Sequence, residues 1–333
     1  MQRKTTLKEL SKSLNLSIST ISKALNNSPE ISKATVEKVK RSAALHNYIP
    51  NFAARNLKAG NSGTIGIVLP TMSNPFFSSA FEGIEAALMK RGYKSLVFLS
   101  HESLDLERTG IQKLVETQID GLIISPAHET INSKSIQHLT QLKSLHIPIV
   151  TLDRTLHEIA CDSITTDEEL KAEIAISNMQ KSGCKNIIFL SGTIGATRKT
   201  GYKQALKSVG QVTRIMEYHS DFPKDELLEM LLAKSIDGIM ACSEHCAIQV
   251  MSFILQNGFS IPQDVSVISY HNSSIGQSFW PALSTIDLKP EEQGNLAVQT
   301  LFDRINGLLP SGKINYQLDS EIIQRSSTKP IRS

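Results

Sequence analysis

Apolar residues along this chain follow two different rhythms. In the first fifty positions they return every three or four residues: Leu7, Leu10 and Leu14, then Ile18, Ile21 and Leu25, then Ile31, Val36, Val39, Ala43 and Leu45. That spacing predicts three short amphipathic helices, over Thr6–Leu14, Ile18–Leu25 and Ser32–His46, closing one small core. Thr6 is placed to cap the first helix, with Glu9 three residues on as its capping-box partner, and Ser17 to cap the second after the tight connection Asn15-Leu16. Two short helices joined by a tight turn form a helix-turn-helix, although any small helical domain shares this periodicity.

From Thr64 onward, short apolar runs alternate with amphipathic stretches. Strands are predicted at Ile65–Leu69, Ser95–Leu99, Gly121–Ser125, Ile149–Leu152, Ile187–Leu190, Gly238–Ala241 and Val265–Ser269. Helices are predicted at Phe76–Arg91, Leu106–Thr117, Ser133–Leu145, Glu168–Ser182, Gly201–Val209, Asp225–Leu232, His245–Asn257 and Pro290–Asn306. Nearly continuous apolar strands with helical crossovers indicate α/β architecture, with parallel doubly wound sheets buried on both faces. The pattern occurs twice, since Asp120-Gly-Leu-Ile-Ile in one half is answered by Asp237-Gly-Ile-Met in the other. About 270 residues exceed one comfortable sheet of this kind, so two similar lobes are expected.

Charge separates the two regions further. Residues 1–60 hold 11 Lys or Arg against 3 Asp or Glu, whereas residues 61–333 hold 24 against 29, so a basic block precedes a mildly acidic body. Such a block suits a polyanion; a solvated basic surface is the plainer alternative. The start, MQRKTTLKEL, lacks the apolar run of about 7 to 15 residues that a secretory signal needs, and no membrane-spanning run of about 18 occurs. A cytoplasmic protein without membrane contact is expected. Cys161, Cys184, Cys242 and Cys246 are too irregularly spaced for a disulfide framework, and Cys242-Ser-Glu-His245-Cys246 lacks a second ligand pair for a metal. No metal or cofactor is therefore expected.

The run Leu16-Ser-Ile-Ser-Thr-Ile-Ser-Lys-Ala-Leu-Asn26, followed by Tyr48-Ile-Pro-Asn-Phe-Ala-Ala-Arg-Asn-Leu57, resembles the headpiece and hinge of the lac repressor (LacI/GalR) family of transcriptional regulators. The body resembles that family's sensor, a type I periplasmic-binding-protein fold. Its matching motifs are Ile65-Gly-Ile-Val-Leu-Pro with Asn74-Pro-Phe-Phe77, Ile149-Val-Thr-Leu-Asp153-Arg154, Leu190-Ser-Gly with Arg198-Lys-Thr-Gly-Tyr202, and Pro281-Ala-Leu-Ser-Thr-Ile286. The resemblance implies a helix-turn-helix domain over 1–49 and a hinge helix and linker over 50–61. It further implies one sensor lobe from 62–159 with 290–317, and another from 160–289 with 318–333.

By the same resemblance the protein is a homodimer on a near-palindromic double-stranded operator, controlled by a sugar-like effector held between the lobes. In helix-turn-helix docking the start of the second helix meets base edges, which places Ile18 and Ser19 there and Lys23 one turn later. Thr6, Ser17, Thr20, Ser22 and Asn26 offer hydroxyls or amides to phosphate or base, and Asn51, Ala54 and Lys58 belong to the implied hinge contacts. Leu57 is implied as the wedge in the minor groove, with a flexible linker as the alternative. The family usually has Arg where Lys23 stands, and an ammonium cannot match the planar fork of Arg on guanine, which leaves operator preference open.

Ligands of such sheets sit beyond the carboxyl ends of the strands. Asn74, Phe77, Ser100, His101, Ser125, Asp153, Arg198, Ser243 and His271 are the candidates. Asp153 and Arg198 head the set, as a carboxylate and a guanidinium able to bond adjacent hydroxyls; alternatively they form an interlobe salt bridge, and Phe77 is a core aromatic rather than a stacking face. His271-Asn272 stands where the family usually has Asp, and Ser243-Glu244 where it has Asn-Asp, so a neutral hexose is less secure and an acidic or phosphorylated sugar would suit His271. Trp280 reads as packing near a subunit contact.

A transport solute-binding protein would have a secretory signal and no basic headpiece. An enzyme would need a phosphate loop, a nucleophile elbow or a metal cluster, and none is found. A regulator without small-molecule response, constitutive or dependent on a protein corepressor, stays open.

Overall fold

The computed structural model describes residues 5–46, 48, 61–192, 196–218 and 222–331, with Ala196 and Thr197 as backbone only. The described chain divides into two units, 1–62 and 63–333.

In the first unit, α1 (Leu7–Leu14), α2 (Ile18–Leu25) and α3 (Lys33–Leu45) surround a core of Leu10, Ile21, Ala24, Val39 and Ala43. The start of each helix is held by a side chain. Thr6 and Glu9 form a reciprocal capping box, Ser17 accepts from the Thr20 amide at 3.0 Å, and Ser32 accepts from the Thr35 amide at 3.2 Å. These caps occupy amides that have no carbonyl partner inside the helix. Leu45, which the spacing assigns to the core, is 75% exposed, because it stands two residues after buried Ala43 and so on the opposite side of α3.

The second unit holds two six-stranded sheets. In the first, β1 (Thr64–Leu69), β2 (Lys94–Leu99), β3 (Gly121–Ile124), β4 (Ile149–Leu152), β5 (Asp162–Thr166) and β11 (Asn315–Leu318) lie in the order β11-β5-β4-β3-β1-β2, all parallel. In the second, β6 (Ile187–Ser191), β7 (Ile215–Glu217), β8 (Gly238–Ala241), β9 (Ser266–Tyr270), β10 (Ser284–Asp287) and β12 (Glu321–Ile323) follow the same plan, β12-β10-β9-β8-β6-β7, with only β12 antiparallel. Each sheet reverses its direction of growth beside its first strand, between β1 and β3 and between β6 and β8. The loops that leave those strands therefore diverge and open a crevice.

The connecting helices are α4 (Pro75–Lys90), α5 (Leu104–Glu116), α6 (His128–Ser133), α7 (Gln137–Ser144), α8 (Glu168–Lys181), α9 (Ala196–Ser208), α10 (Lys224–Leu232), α11 (Glu244–Gln256), α12 (Ser274–Ser278) and α13 (Pro290–Ile305). The chain passes between lobes three times: after β5, through α13 after β10, and between β11 and β12. Helices α4 and α13 approach unusually closely, since a Cβ on Gly294 would lie 2.1 Å from the Ala80 carbonyl oxygen and one on Gly83 would lie 2.2 Å from that of Glu291.

Of the helix predicted over Ser133–Leu145, Gln137–Ser144 is helical, as α7; Ser133 instead ends a separate short helix, α6, and Lys134 after it takes the left-handed conformation (φ 52°). Buried Glu107 explains the break. Its Oε1 accepts from Thr130 Oγ1 at 2.7 Å and lies 2.8 Å from His138 Nε2, while Oε2 accepts from the Ala127 amide at 2.6 Å. Eight residues of straight helix span about 12 Å, too far for one oxygen to bond both ends.

Candidate functional site

In the first unit, α2 turns Ile21 and Ala24 inward, which leaves Ile18, Ser19 and Lys23 on its outer face. Ile18 is 48% exposed although it is a large aliphatic residue at a helix start. Several of the predicted DNA contacts also have local duties. Thr6 and Ser17 are N-caps, Thr20 Oγ1 lies 2.8 Å from Ser17 Oγ, Asn26 Nδ2 donates to the Ser22 carbonyl at 3.0 Å, and Lys23 Nζ is paired with Glu30. Ser19 bonds to none of these and is exposed. Asn51, Ala54, Leu57 and Lys58 lie outside the described residues.

In the second unit, beyond the carboxyl ends of the strands, Arg198 lies within electrostatic reach of both Asp153 and His271. Ser100 follows β2 and Ser125 follows β3; both are buried, and neither hydroxyl has a hydrogen-bond partner among the described residues. Asp153 follows β4 in the left-handed conformation (φ 67°), its amide bonded to the Ile164 carbonyl at 2.9 Å. Arg198, from α9, is 4% exposed and donates Nη1 to the Cys242 carbonyl at 2.5 Å and Nε to Glu168 Oε1 at 3.0 Å. Its guanidinium also lies 4.2 Å from the centre of the Tyr270 ring, whose hydroxyl donates to the Glu168 carbonyl at 3.2 Å.

Arg198 is therefore paired with Glu168. Asp153 instead lies 3.6 Å from Nε of its neighbour Arg154. Arg154 forms a fork on Glu102, with Nη1–Oε2 at 2.8 Å and Nη2–Oε1 at 2.9 Å, and Nη1 also donates to the Pro126 carbonyl at 2.8 Å. Glu102 Oε2 further accepts from the His128 amide at 2.9 Å. Glu102, His128, Arg154, Glu168 and Tyr270 were not among the residues the sequence singled out. The adjacency of Arg154 to Asp153, and of Glu102 to His101, was the only signal available for two of them.

Other predicted residues take different roles. Asn74 caps α4, its Oδ1 accepting from the Phe76 amide at 3.0 Å. Phe77 is 2% exposed, edge-on to Phe76 with the Arg154 guanidinium 5.7 Å from its ring centre, so its face is occupied by protein. Ser243 caps α11, accepting from the Cys246 amide at 3.3 Å. His101 is exposed at φ 48°, and His271 is buried at φ 77° with its ring 5.4 Å from that of Phe76. Glu244, which stands in for the family's Asp, turns inward and accepts from the Ser273 amide at 3.1 Å, so it props α12.

Burial and charge set the protonation of these groups. Burial raises the Asp153 carboxyl, and Glu168 and Glu102 raise it further, while Arg154 and Arg198 lower it; the outcome is about 6. Burial works against ionisation of Glu102, but the hydrogen bond and charge of Arg154 prevail and hold it below the usual range. Burial first, and then Arg198, holds His271 well below the ordinary imidazole range; burial and Arg154 do the same to His128 to a lesser degree. His271 thus supplies a neutral ring, not the cation that an acidic sugar would need. Among the described residues no group of His, Cys, Asp and Glu is arranged to hold a metal ion, and no helix is long and apolar enough to cross a membrane.

Comparison with known proteins agrees with the two-unit plan. Residues 6–51 match bacterial regulatory proteins of the lacI family, and residues 177–328 match the periplasmic binding protein-like domain. The ribose operon repressor of Haemophilus influenzae is 30% identical over 310 residues, covering 90% of this chain and 92% of its own. Catabolite control protein A of Priestia megaterium is 27% identical over 97% of this chain and 99% of its own. Among solved structures, the lac repressor dimer bound to operator and the anti-inducer ONPF aligns with a TM-score of 0.84 at 21% identity, over 98% of this chain and 99% of that one, a likeness of fold. The chain belongs to the LacI family and is a DNA-binding transcriptional regulator. Several of the relatives it matches are named as operon or transcriptional repressors.

Proposed function

We propose that this protein is a cytoplasmic, homodimeric repressor whose grip on a near-palindromic operator is set by a small polyhydroxylated effector in the crevice of the second unit. The supporting observation is the buried Ser125 hydroxyl, without a hydrogen-bond partner among the described residues, at the end of the strand next to that of Asp153, with buried Arg198 within electrostatic reach of Asp153. Buried hydroxyls without a partner are costly unless a ligand or water satisfies them. Relatives point the same way: one is named for the ribose operon, and a fold neighbour at 24% identity and TM-score 0.68 was solved with D-xylulofuranose.

In this mechanism Ile18, Ser19 and Lys23 of each protomer meet base edges, Leu57 enters the minor groove, and effector binding changes the relative position of the two sheets. Effector and operator then alter each other's affinity reciprocally. Operator fragments selected from genomic DNA by the full-length protein, titrated with and without sugars by fluorescence anisotropy, test the scheme. Replacing Arg198 with Ala is expected to abolish the sugar response and to leave operator affinity without effector unchanged. A retained response would remove Arg198 from the site.

A further inference from the structure

The crevice has an imbalance of charge that the shared fold does not require. Three carboxylates, Glu102, Asp153 and Glu168, interact electrostatically there with two guanidiniums, Arg154 and Arg198. Both guanidiniums are already committed: Arg154 to Glu102 and the Pro126 carbonyl, Arg198 to Glu168 and the Cys242 carbonyl. Asp153 is the remainder. Its nearest cation, Arg154 Nε, lies at 3.6 Å, and no described residue donates a hydrogen bond to its carboxylate. Neither histidine beside the cluster compensates, because His128 and His271 are both held toward their neutral forms.

We infer that the effector is a cationic polyol, an amino sugar, whose ammonium group pairs with Asp153 while one of its hydroxyls engages Ser125. This rests on the reading of the crevice as the effector site. The Ser125 hydroxyl is the independent sign of a ligand: the residue is fully buried and the hydroxyl has no hydrogen-bond partner among the described residues. Ser125 follows Ile124, which pairs in register with Thr151, so it ends its strand beside the turn into Asp153. An acidic or phosphorylated sugar would enter a net negative site whose counter-ions are bound already. A neutral sugar offers Asp153 only hydroxyl dipoles, whereas an ammonium offers a full charge and three donors. Repulsion from Glu168 and Glu102 contributes to the raised proton affinity of Asp153, and a bound cation would offset it, so binding near pH 6 releases protons.

The test uses the full-length protein and three matched sets of probes: glucosamine, galactosamine and mannosamine, their neutral parents, and the 6-phosphates of those parents. Isothermal titration is run at about pH 6 in two buffers of different ionisation enthalpy. At least one amino sugar should bind about tenfold or more tightly than its parent, with proton release, and Asp153→Asn should bring that preference to about threefold or less. Tighter binding of a parent or a phosphate, lost in Arg198→Ala, would overturn the inference and leave the effector site standing. Absence of binding by all three classes would remove both.

Discussion

At the scale of single residues, Asp153 shows a conflict between site and stability. Its carboxyl, ordinarily near 3.8, is raised to about 6 by burial and by Glu168 and Glu102, against the opposing pull of Arg154 and Arg198. A carboxyl raised in the folded state destabilises that state wherever it is ionised, so the penalty is complete above about pH 6. It fades as the pH falls through 6 and is gone below the unfolded value. Asn at this position keeps the shape, tolerates the left-handed backbone and carries no charge. Asp153→Asn is therefore expected to stabilise the apo protein by on the order of 2 kcal/mol at about pH 7.5 and by almost nothing at about pH 4. Thermal melts at the two pH values check this; an equal gain at both would mean that charge is not the cause.

Elements depend on contacts that no local pattern encodes. Gly83 and Gly294 let α4 and α13 meet backbone to backbone, and α13 also carries the chain from the second sheet back to the first. Ala at position 294 would gain helix propensity of up to about 1 kcal/mol, yet its methyl would stand 2.1 Å from the Ala80 carbonyl oxygen. The clash should prevail, lowering the melting temperature by roughly 2 to 10 °C. An unchanged melting point in calorimetry would mean that the two helices slide apart at little cost. The same dependence explains which elements the sequence concealed. β5 reads Asp-Ser-Ile-Thr-Thr, with one large aliphatic residue, and is a strand because β4 and β11 bond it on either side. The division of α6 from α7 follows from Glu107, which lies more than twenty residues upstream of both ends it joins.

At the scale of the whole molecule, Trp280 is 83% exposed and Ile275, five residues before it, is 58% exposed, so the second lobe presents two large apolar side chains around α12. Exposed aromatics rimmed by polar residues commonly anchor protein interfaces. If this face carries the contact of the proposed homodimer, Trp280→Ser shifts the protein from dimer to monomer at micromolar concentration. Sedimentation velocity reads the outcome directly, and an undiminished dimer would place the contact elsewhere.

The strands and helices with strong periodicity, the helix caps, the basic first block and the repeated plan of two parallel sheets followed from residue order, because they depend on neighbours within a few positions and on burial of one face. Positions at strand ends could likewise be named in advance, since parallel sheets place their loops there. Which charges pair with which was settled only in three dimensions. The sequence offers Asp153 and Arg198 as joint ligand groups, with a salt bridge between them as the alternative, but Glu168 reaches Arg198 from the start of α8 and Glu102 reaches Arg154 across 52 residues. Electrostatic energy depends on distance in space and on access to water, and neither is a function of separation along the chain.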